Sequence, residues 1–175
     1  VAGGLADIVV VVGVEKMTDT VGPDTTAALA SAADADHEAA HGASFVTINA
    51  LLMRRYMHEY GYSHQAFAPF AVNAHRNAVH NPHAMFRFPV SAEKFAQARM
   101  ISDPINLLDS SPICDGAAAV VIAPAGQAQN HSAAPVRVAA SAVGTDTVAV
   151  HDRRDPLVLE GATLSTRRAY NQAGV

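Results

Sequence analysis

The single cysteine of this 175-residue chain, Cys114, is the first residue to weigh for nucleophilic chemistry. A reactive thiolate needs a lowered pKa, which a helix N-terminus or a paired histidine provides. Cys114 lies two residues before Gly116, in a turn that leads into an apolar segment, and this position offers neither. We therefore predict a structural or incidental role for Cys114.

Nine histidines suggest a metal site, and His75, His80 and His83 are the nearest group in sequence. A zinc site needs a fixed geometry and usually four ligands. Nothing in the sequence supplies the rest of such a set, so we expect no metal site.

Three arginines are candidates for binding phosphate groups through bidentate hydrogen bonds: Arg54, Arg55 and Arg76. The alternative is a solvated helix face on which arginine pairs with Glu59. The second reading is the more frequent one for charged residues on a helix, and we favour it.

These residues must be positioned by a small number of regular elements. Three apolar segments predict β-strands near residues 8–13, 117–123 and 136–143. The first holds four consecutive valines, which suit a strand that a parallel sheet buries on both faces. It ends at Gly13, where the chain leaves a sheet edge of the kind at which ligands collect. The predicted fold class is α/β.

Helical spacing predicts a helix over residues 45–60 that stops at Gly61, and another over residues 164–173 that stops at Gly174. Ser63 is predicted to cap a third helix, which either begins near Ala68 or is kinked at Pro69.

The remaining segments give weaker signals. Ser91 is predicted to cap a short helix over residues 92–99, and residues 84–90 are predicted to be extended. Segments 20–44 and 125–135 are rich in small and polar residues and are predicted to be irregular.

Composition excludes several classes of protein. Half of the residues are hydrophobic and 16% are charged, which is typical of a globular chain. A net charge of −4 gives no footprint for nucleic acid, and no apolar stretch is long enough for a membrane span. One cysteine fits a reducing compartment, so we expect the cytoplasm. Three strands are few for an α/β sheet, and the chain is expected to be the middle of a larger domain.

Four segments together resemble the thiolase family, most closely its sterol-carrier-protein-type and archaeal-type branches. They occur in the family's order over nearly the whole chain: LADIVVVVGVEKMTD, RRYMHEYG, DPINLLDSSPICDGAAAVVIA and TRRAYNQAGV. The resemblance implies part of a five-layer αβαβα fold. Residues 1–19 and 110–130 would end the N-terminal half, residues 20–109 would form a mostly helical loop domain over the acyl-CoA site, and residues 131–175 would begin the C-terminal half.

The resemblance also implies a function in lipid metabolism. A thiolase-type acyltransferase, similar to acetyl-CoA acetyltransferase, acts on coenzyme A thioesters through an acyl-cysteine, by condensation or thiolysis. The coenzyme A thioester is the substrate, and no bound cofactor or metal is implied. The family's nucleophilic cysteine and its acid and base residues fall outside residues 1–175, so no catalytic residue is expected here and the piece alone is expected to be inactive. The full-length protein is expected to be a homo-oligomer, with a small OB-fold protein as a further partner.

The resemblance points to one site within the chain. Ser111, Pro112 and Ile113 correspond to the family loop that runs along the pantetheine arm and the acyl cavity, although a plain loop before a strand is an equal alternative. Asp115 and Gly116 are expected to anchor this loop. The family loop domain also contributes to the coenzyme A pocket, which keeps Arg54, Arg55 and Arg76 as weaker candidates.

Two other functions stay open at this point. Some relatives of the sterol-carrier type are retro-aldolases for coenzyme A esters of steroid side chains, and the residue at the nucleophile position distinguishes them. The third reading is a non-catalytic remnant or subunit that needs a partner chain to complete its sheet.

Overall fold

The computed structural model describes residues 1–175, which divide into two compact units. The first unit comprises residues 1–19, 115–146 and 159–175, and the second comprises residues 20–114 and 147–158. The regular elements, in chain order, are β1 (Val9–Glu15), α1 (Gly22–Ala30), α2 (Phe45–Tyr60), α3 (Ala68–Ala78), α4 (Ala92–Gln97), β2 (Met100–Ser102), β3 (Ile105–Asn106), β4 (Gly116–Ile122), α5 (Ala125–His131) and α6 (Glu160–Ala173). This mixture of helices and strands agrees with the predicted α/β class.

In the first unit, β1 and β4 form a two-stranded antiparallel ribbon. Val9 pairs with Ile122 at one end and Glu15 pairs with Gly116 at the other. Both strands were predicted, but the parallel pairing and the burial of β1 on both faces are wrong. Val10 and Val12 are 61% and 64% exposed, because β1 and β4 have no sheet neighbour other than each other.

The segment over residues 136–143, predicted as a third strand, forms no strand. A strand needs a hydrogen-bonded neighbour for its backbone, and no strand pairs with this segment. It is tied to α6 instead. Gln172 Oε1 accepts from the Ser141 N–H at 3.0 Å, and Arg168 Nη1 donates to the Val143 carbonyl at 2.8 Å.

The helices with strong end signals lie where the sequence places them. Ser44 Oγ accepts from the Thr47 N–H at the start of α2, and Gly61 ends that helix with a left-handed φ of 68°. Helix α3 begins at Ala68 with Pro69 in its first turn, where a missing N–H removes no helical hydrogen bond. The first of the two alternatives is therefore confirmed. Ser63 does not cap α3, because a short 3₁₀ helix over His64–Phe67 lies between them.

The short helix α4 is capped as predicted, since Ser91 Oγ accepts from the Lys94 N–H at 3.3 Å. Two segments predicted to be irregular contain helices, α1 and α5. In α1, Pro23 and Asp24 occupy the first turn, and both residue types favour a helix start. Helix α5 follows directly after Pro124. None of the helices combines the length and apolar character that a membrane span requires.

The core of the second unit is centred on Phe95 of α4, which is 0% exposed. Ala68 and Ala71 of α3 are buried against it, and Phe67 and Leu108 pack around them. Two small residues on one helix face leave room for one large ring, so Phe95 supplies most of the apolar volume here.

We expect Phe95→Ala to lower the free energy of unfolding by about 3–5 kcal/mol, because it removes a buried ring and leaves a cavity. Phe70→Ala is the matched control: Phe70 lies on α3 and is 75% exposed, so its loss should change stability by less than about 0.5 kcal/mol. Urea unfolding followed by circular dichroism measures both. Equal losses in the two variants would contradict the packing described here.

Candidate functional site

The loop over residues 111–114, which contains the predicted site residues, lies between β3 and β4 and has no regular secondary structure. Ser111, Pro112, Ile113 and Cys114 are all exposed, and the Ile113 side chain is 44% exposed. A loop of small and apolar residues with an accessible backbone suits contact with an extended, partly apolar ligand.

The chain enters this loop from a buried turn. Asn106 is 0% exposed, and its Nδ2 donates to the Phe95 carbonyl at 2.7 Å. Its Oδ1 accepts from the N–H groups of Leu108 and Asp109 at 2.8 and 3.1 Å. The Asn106 side chain thus donates one hydrogen bond and accepts two. These three bonds fix the path of residues 106–109.

A carboxylate–imidazole pair completes this turn. Asp109 Oδ2 accepts from the Asn106 N–H at 2.8 Å and lies 2.8 Å from His64 Nε2. The His64 ring stacks on Phe95, with ring centroids 4.7 Å apart. His64, Asn106 and Asp109 are not among the site residues predicted from the sequence. The signal for the turn was present as Asn106 three residues before Asp109, a spacing typical of side chains that bond the backbone of their own turn.

The chain leaves the loop at Asp115, which belongs to the first unit. As expected, the Asp115 side chain anchors this end of the loop, by contacts with the residues that follow β1. Asp115 Oδ1 accepts from the N–H groups of Met17 and Thr18 at 2.9 and 3.1 Å, and Oδ2 accepts from Thr18 Oγ1 at 2.7 Å. Lys16 Nζ lies 3.9 Å from the same carboxylate. The hydroxyl of Thr18, and then the N–H of Met17, lower the pKa of Asp115 below its usual value.

The other candidates of the sequence analysis lie in ordinary surroundings. Cys114 is exposed, forms no disulfide and lies outside any helix, so nothing activates its thiol. No three histidine, cysteine or acidic side chains come together where they could hold a metal ion. His75 lies on α3, where its Nδ1 is 3.0 Å from the Phe88 carbonyl.

The candidate arginines already have protein partners. Arg54 pairs with Asp103 at 2.6 Å, and Arg55 pairs with Glu59 at 2.8 Å across one turn of α2. Arg76 Nη2 donates to Asn73 Oδ1 at 2.6 Å. These contacts match the solvated helix face that the sequence favoured.

Comparison with known proteins gives consistent matches. The family model described as "Thiolase, N-terminal domain" matches residues 1–126. The acetyl-CoA acetyltransferase of Methanothermobacter thermautotrophicus is 44% identical over 173 residues, covering 99% of this chain and 45% of that protein. The acetyl-CoA acetyltransferase of Methanocaldococcus jannaschii is 37% identical over 177 residues, covering 100% of this chain and 45% of that protein. The chain thus spans about half the length of these curated relatives.

A solved structure shares the architecture. A chain of the structure titled "Ltp2-ChsH2(DUF35) aldolase" superposes with a TM-score of 0.84 at 27% identity. The match covers 99% of this chain and 46% of that one.

We expect Asp115→Asn to destabilise the protein at neutral pH. The neutral amide has a single acceptor oxygen, so it cannot replace both carboxylate oxygens, and the bonds that it keeps lose the assistance of the charge. A carboxylate whose pKa is lowered in the folded state contributes stability that is fully present above its unfolded value, 3.8, and is lost as the pH falls through the folded value. The difference in free energy of unfolding between wild type and variant should therefore shrink below pH 3.8.

Urea unfolding at a series of pH values measures this difference. Asp7→Asn is the control, since Asp7 is an exposed carboxylate in the same unit. A wild-type–variant difference that stayed constant down to the acid limit would show that the Asp115 carboxylate does not anchor the loop.

Proposed function

The chain belongs to the thiolase family, and we propose that it is part of an acyltransferase that acts on acyl-CoA thioesters. The observation that carries this proposal is the 44% identity to an acetyl-CoA acetyltransferase over 99% of the chain. Because the chain covers only 45% of that protein, the activity is proposed for the full-length protein.

In the condensation direction, a cysteine thiolate attacks the thioester carbonyl, forms an acyl-cysteine and releases coenzyme A, and the carbanion of a second acyl-CoA then takes the acyl group and frees the cysteine. In thiolysis, the thiolate attacks the 3-oxo carbon of a 3-oxoacyl-CoA, the C2–C3 bond breaks, and the departing carbanion is protonated to acetyl-CoA. The thiol of coenzyme A then takes the acyl group from the cysteine. Hydrogen-bond donors that stabilise the oxyanion and a general base supply the acceleration. We propose that all these groups lie outside residues 1–175, and the position of the single cysteine, Cys114, in an exposed loop rather than at a helix N-terminus supports this proposal.

Within this chain, we assign to Ser111, Pro112 and Ile113 a role in binding the pantetheine arm or the acyl group. Two features support the assignment: the loop is exposed, and each flanking turn is held by a hydrogen-bonded side chain, Asn106 before it and Asp115 after it. Each of these turns is ordered within its own unit before a ligand binds, so ordering it on binding costs little conformational entropy. The domain boundaries, with residues 20–109 as the loop domain, remain predictions.

A retro-aldolase is the second candidate, and the solved aldolase structure is the observation that favours it. In that case the condensing cysteine is absent, and a small partner protein assists the reaction. A cysteine at the family's nucleophile position in the full-length protein identifies the acyltransferase, and another residue there identifies the aldolase. For the full-length protein, we further propose that it forms a homo-oligomer and is located in the cytoplasm. The remaining alternative is that it is a non-catalytic subunit.

We expect the 175-residue piece alone to show no acetoacetyl-CoA thiolysis, whereas the full-length protein should be active, because we assign the catalytic nucleophile and base to the rest of that protein. Turnover is measured as the loss of absorbance of the acetoacetyl-CoA enolate at increasing concentrations of coenzyme A. Activity of the piece above background would overturn the assignment of the catalytic groups.

We expect Ile113→Asp in the full-length protein to raise KM for acetoacetyl-CoA about tenfold with kcat nearly unchanged. A carboxylate in place of an apolar contact weakens binding of substrate and transition state alike. Cys114→Ser, one residue further along, should leave both constants near wild type. If Cys114→Ser abolished turnover, or Ile113→Asp left KM unchanged, the role assigned to this loop would be wrong.

A further inference from the structure

The second unit contains a surface cavity of about 360 Å³ that the proposed acyl transfer does not use. Three of its lining residues are apolar: Leu51 of α2, Val150 and Pro156. Four are polar: His37, Glu38, His151 and Arg153. This volume is in the range of sites that bind small organic ligands.

Arg153 is the unusual residue of this cavity. Its Nε and Nη1 are buried and have no hydrogen-bond partner, and the side chain forms no ion pair. Covered N–H donors without an acceptor are unfavourable, so proteins rarely keep them unless a partner satisfies them. Arg54 and Arg55, by contrast, each pair with a carboxylate at the surface.

Glu38 is the nearest acidic candidate, but both of its oxygens are already used. Its Oε1 accepts from the Val150 N–H at 2.8 Å, and its Oε2 accepts from the Asp34 N–H at 3.0 Å. Glu38 is buried, and it forms no ion pair with Arg153, because no Glu38 oxygen lies within 4.0 Å of a guanidinium nitrogen. Its role is to tie two chain segments together beside the cavity.

The two histidines of the cavity, His37 and His151, also have protein partners. Their rings pack with centroids 4.5 Å apart, His37 Nδ1 lies 3.1 Å from Asp34 Oδ1, and His151 Nε2 lies 3.4 Å from Asp152 Oδ1. Each imidazole therefore has its own carboxylate. Arg153 is the cationic side chain of the cavity that still lacks an acceptor.

We propose that this cavity binds a small organic oxyanion, a carboxylate or a phosphate ester, with Arg153 as the anion receptor. A planar guanidinium matches both oxyanions through paired N–H donors. The apolar body of the ligand lies against Leu51, Val150 and Pro156. This site is independent of the proposed acyl transfer.

The experiment uses the full-length protein and three probes with the same alkyl chain: hexanoate, hexyl phosphate and hexanol. Isothermal titration calorimetry should detect hexanoate or hexyl phosphate, and the anion that binds more tightly identifies the ligand class. Hexanol, which lacks the charge, should bind at least about tenfold more weakly. Equal affinity for hexanol, or no binding of either anion, would overturn the proposal.

Arg153→Gln should weaken binding of the preferred anion about tenfold or more, because it removes the cation that receives it. Arg154→Gln is the matched control, since Arg154 is the next residue, is exposed and does not line the cavity. Equal losses in the two variants would show that only the overall charge of the segment matters.

A second measurement distinguishes a ligand from an acidic side chain elsewhere in the full-length protein. Without ligand, Arg153→Met should melt at the same temperature as wild type or higher, because it removes two covered N–H donors that have no acceptor. A clearly lower melting temperature would mean that a protein group already pairs with Arg153, and the proposal would fall. Neither readout depends on acyl transfer, so failure here leaves the proposed function untouched.

Discussion

The buried amide of Asn106 is the contact on which the second unit depends most. It joins the backbone at the end of α4, through the Phe95 carbonyl, to the turn that follows β3. Removing the amide would leave the Leu108 N–H without a protein partner, and an unsatisfied group of this kind costs about 1–3 kcal/mol when it is buried. The Phe95 carbonyl would keep the Ala98 N–H, and the Asp109 N–H would keep the Asn106 carbonyl. The apolar packing of Phe95 and the polar turn are therefore two parts of one arrangement.

The exposed loop over residues 111–114 is preceded and followed by side chains that are held by hydrogen bonds. Residues 111–114 have no regular hydrogen bonding of their own, yet Asp109 before them and Asp115 after them are each held by several donors. Each carboxylate is fixed within its own unit, by the His64 ring in one case and by the Thr18 hydroxyl in the other. Each anchor restricts the chain locally within its own unit, and the side chain of Ile113 remains available to a ligand.

The sequence predicted those features that local chemistry determines. Helix α2 has a serine cap and a glycine stop within its own segment, and the β-branched runs of β1 and β4 favour strands wherever they pair. The strand predicted over residues 136–143 failed because a strand also needs a partner, and periodicity does not reveal one. His64 and Asp109 lie 45 residues apart, so only the folded chain brings them together.

The arginines show why residue type alone does not identify a binding group. Arg54 and Arg55 carry the same guanidinium as Arg153, but both lie on an exposed helix face with a carboxylate within 3 Å. Water and the carboxylate satisfy such a group, and an exposed pair adds less than about 1 kcal/mol to stability. Arg153 is partly buried, and two of its nitrogens, Nε and Nη1, are reached neither by solvent nor by a protein acceptor. The difference lies in burial and pairing, which arise only when the segment around Val150 docks onto Glu38, 112 residues earlier in the chain.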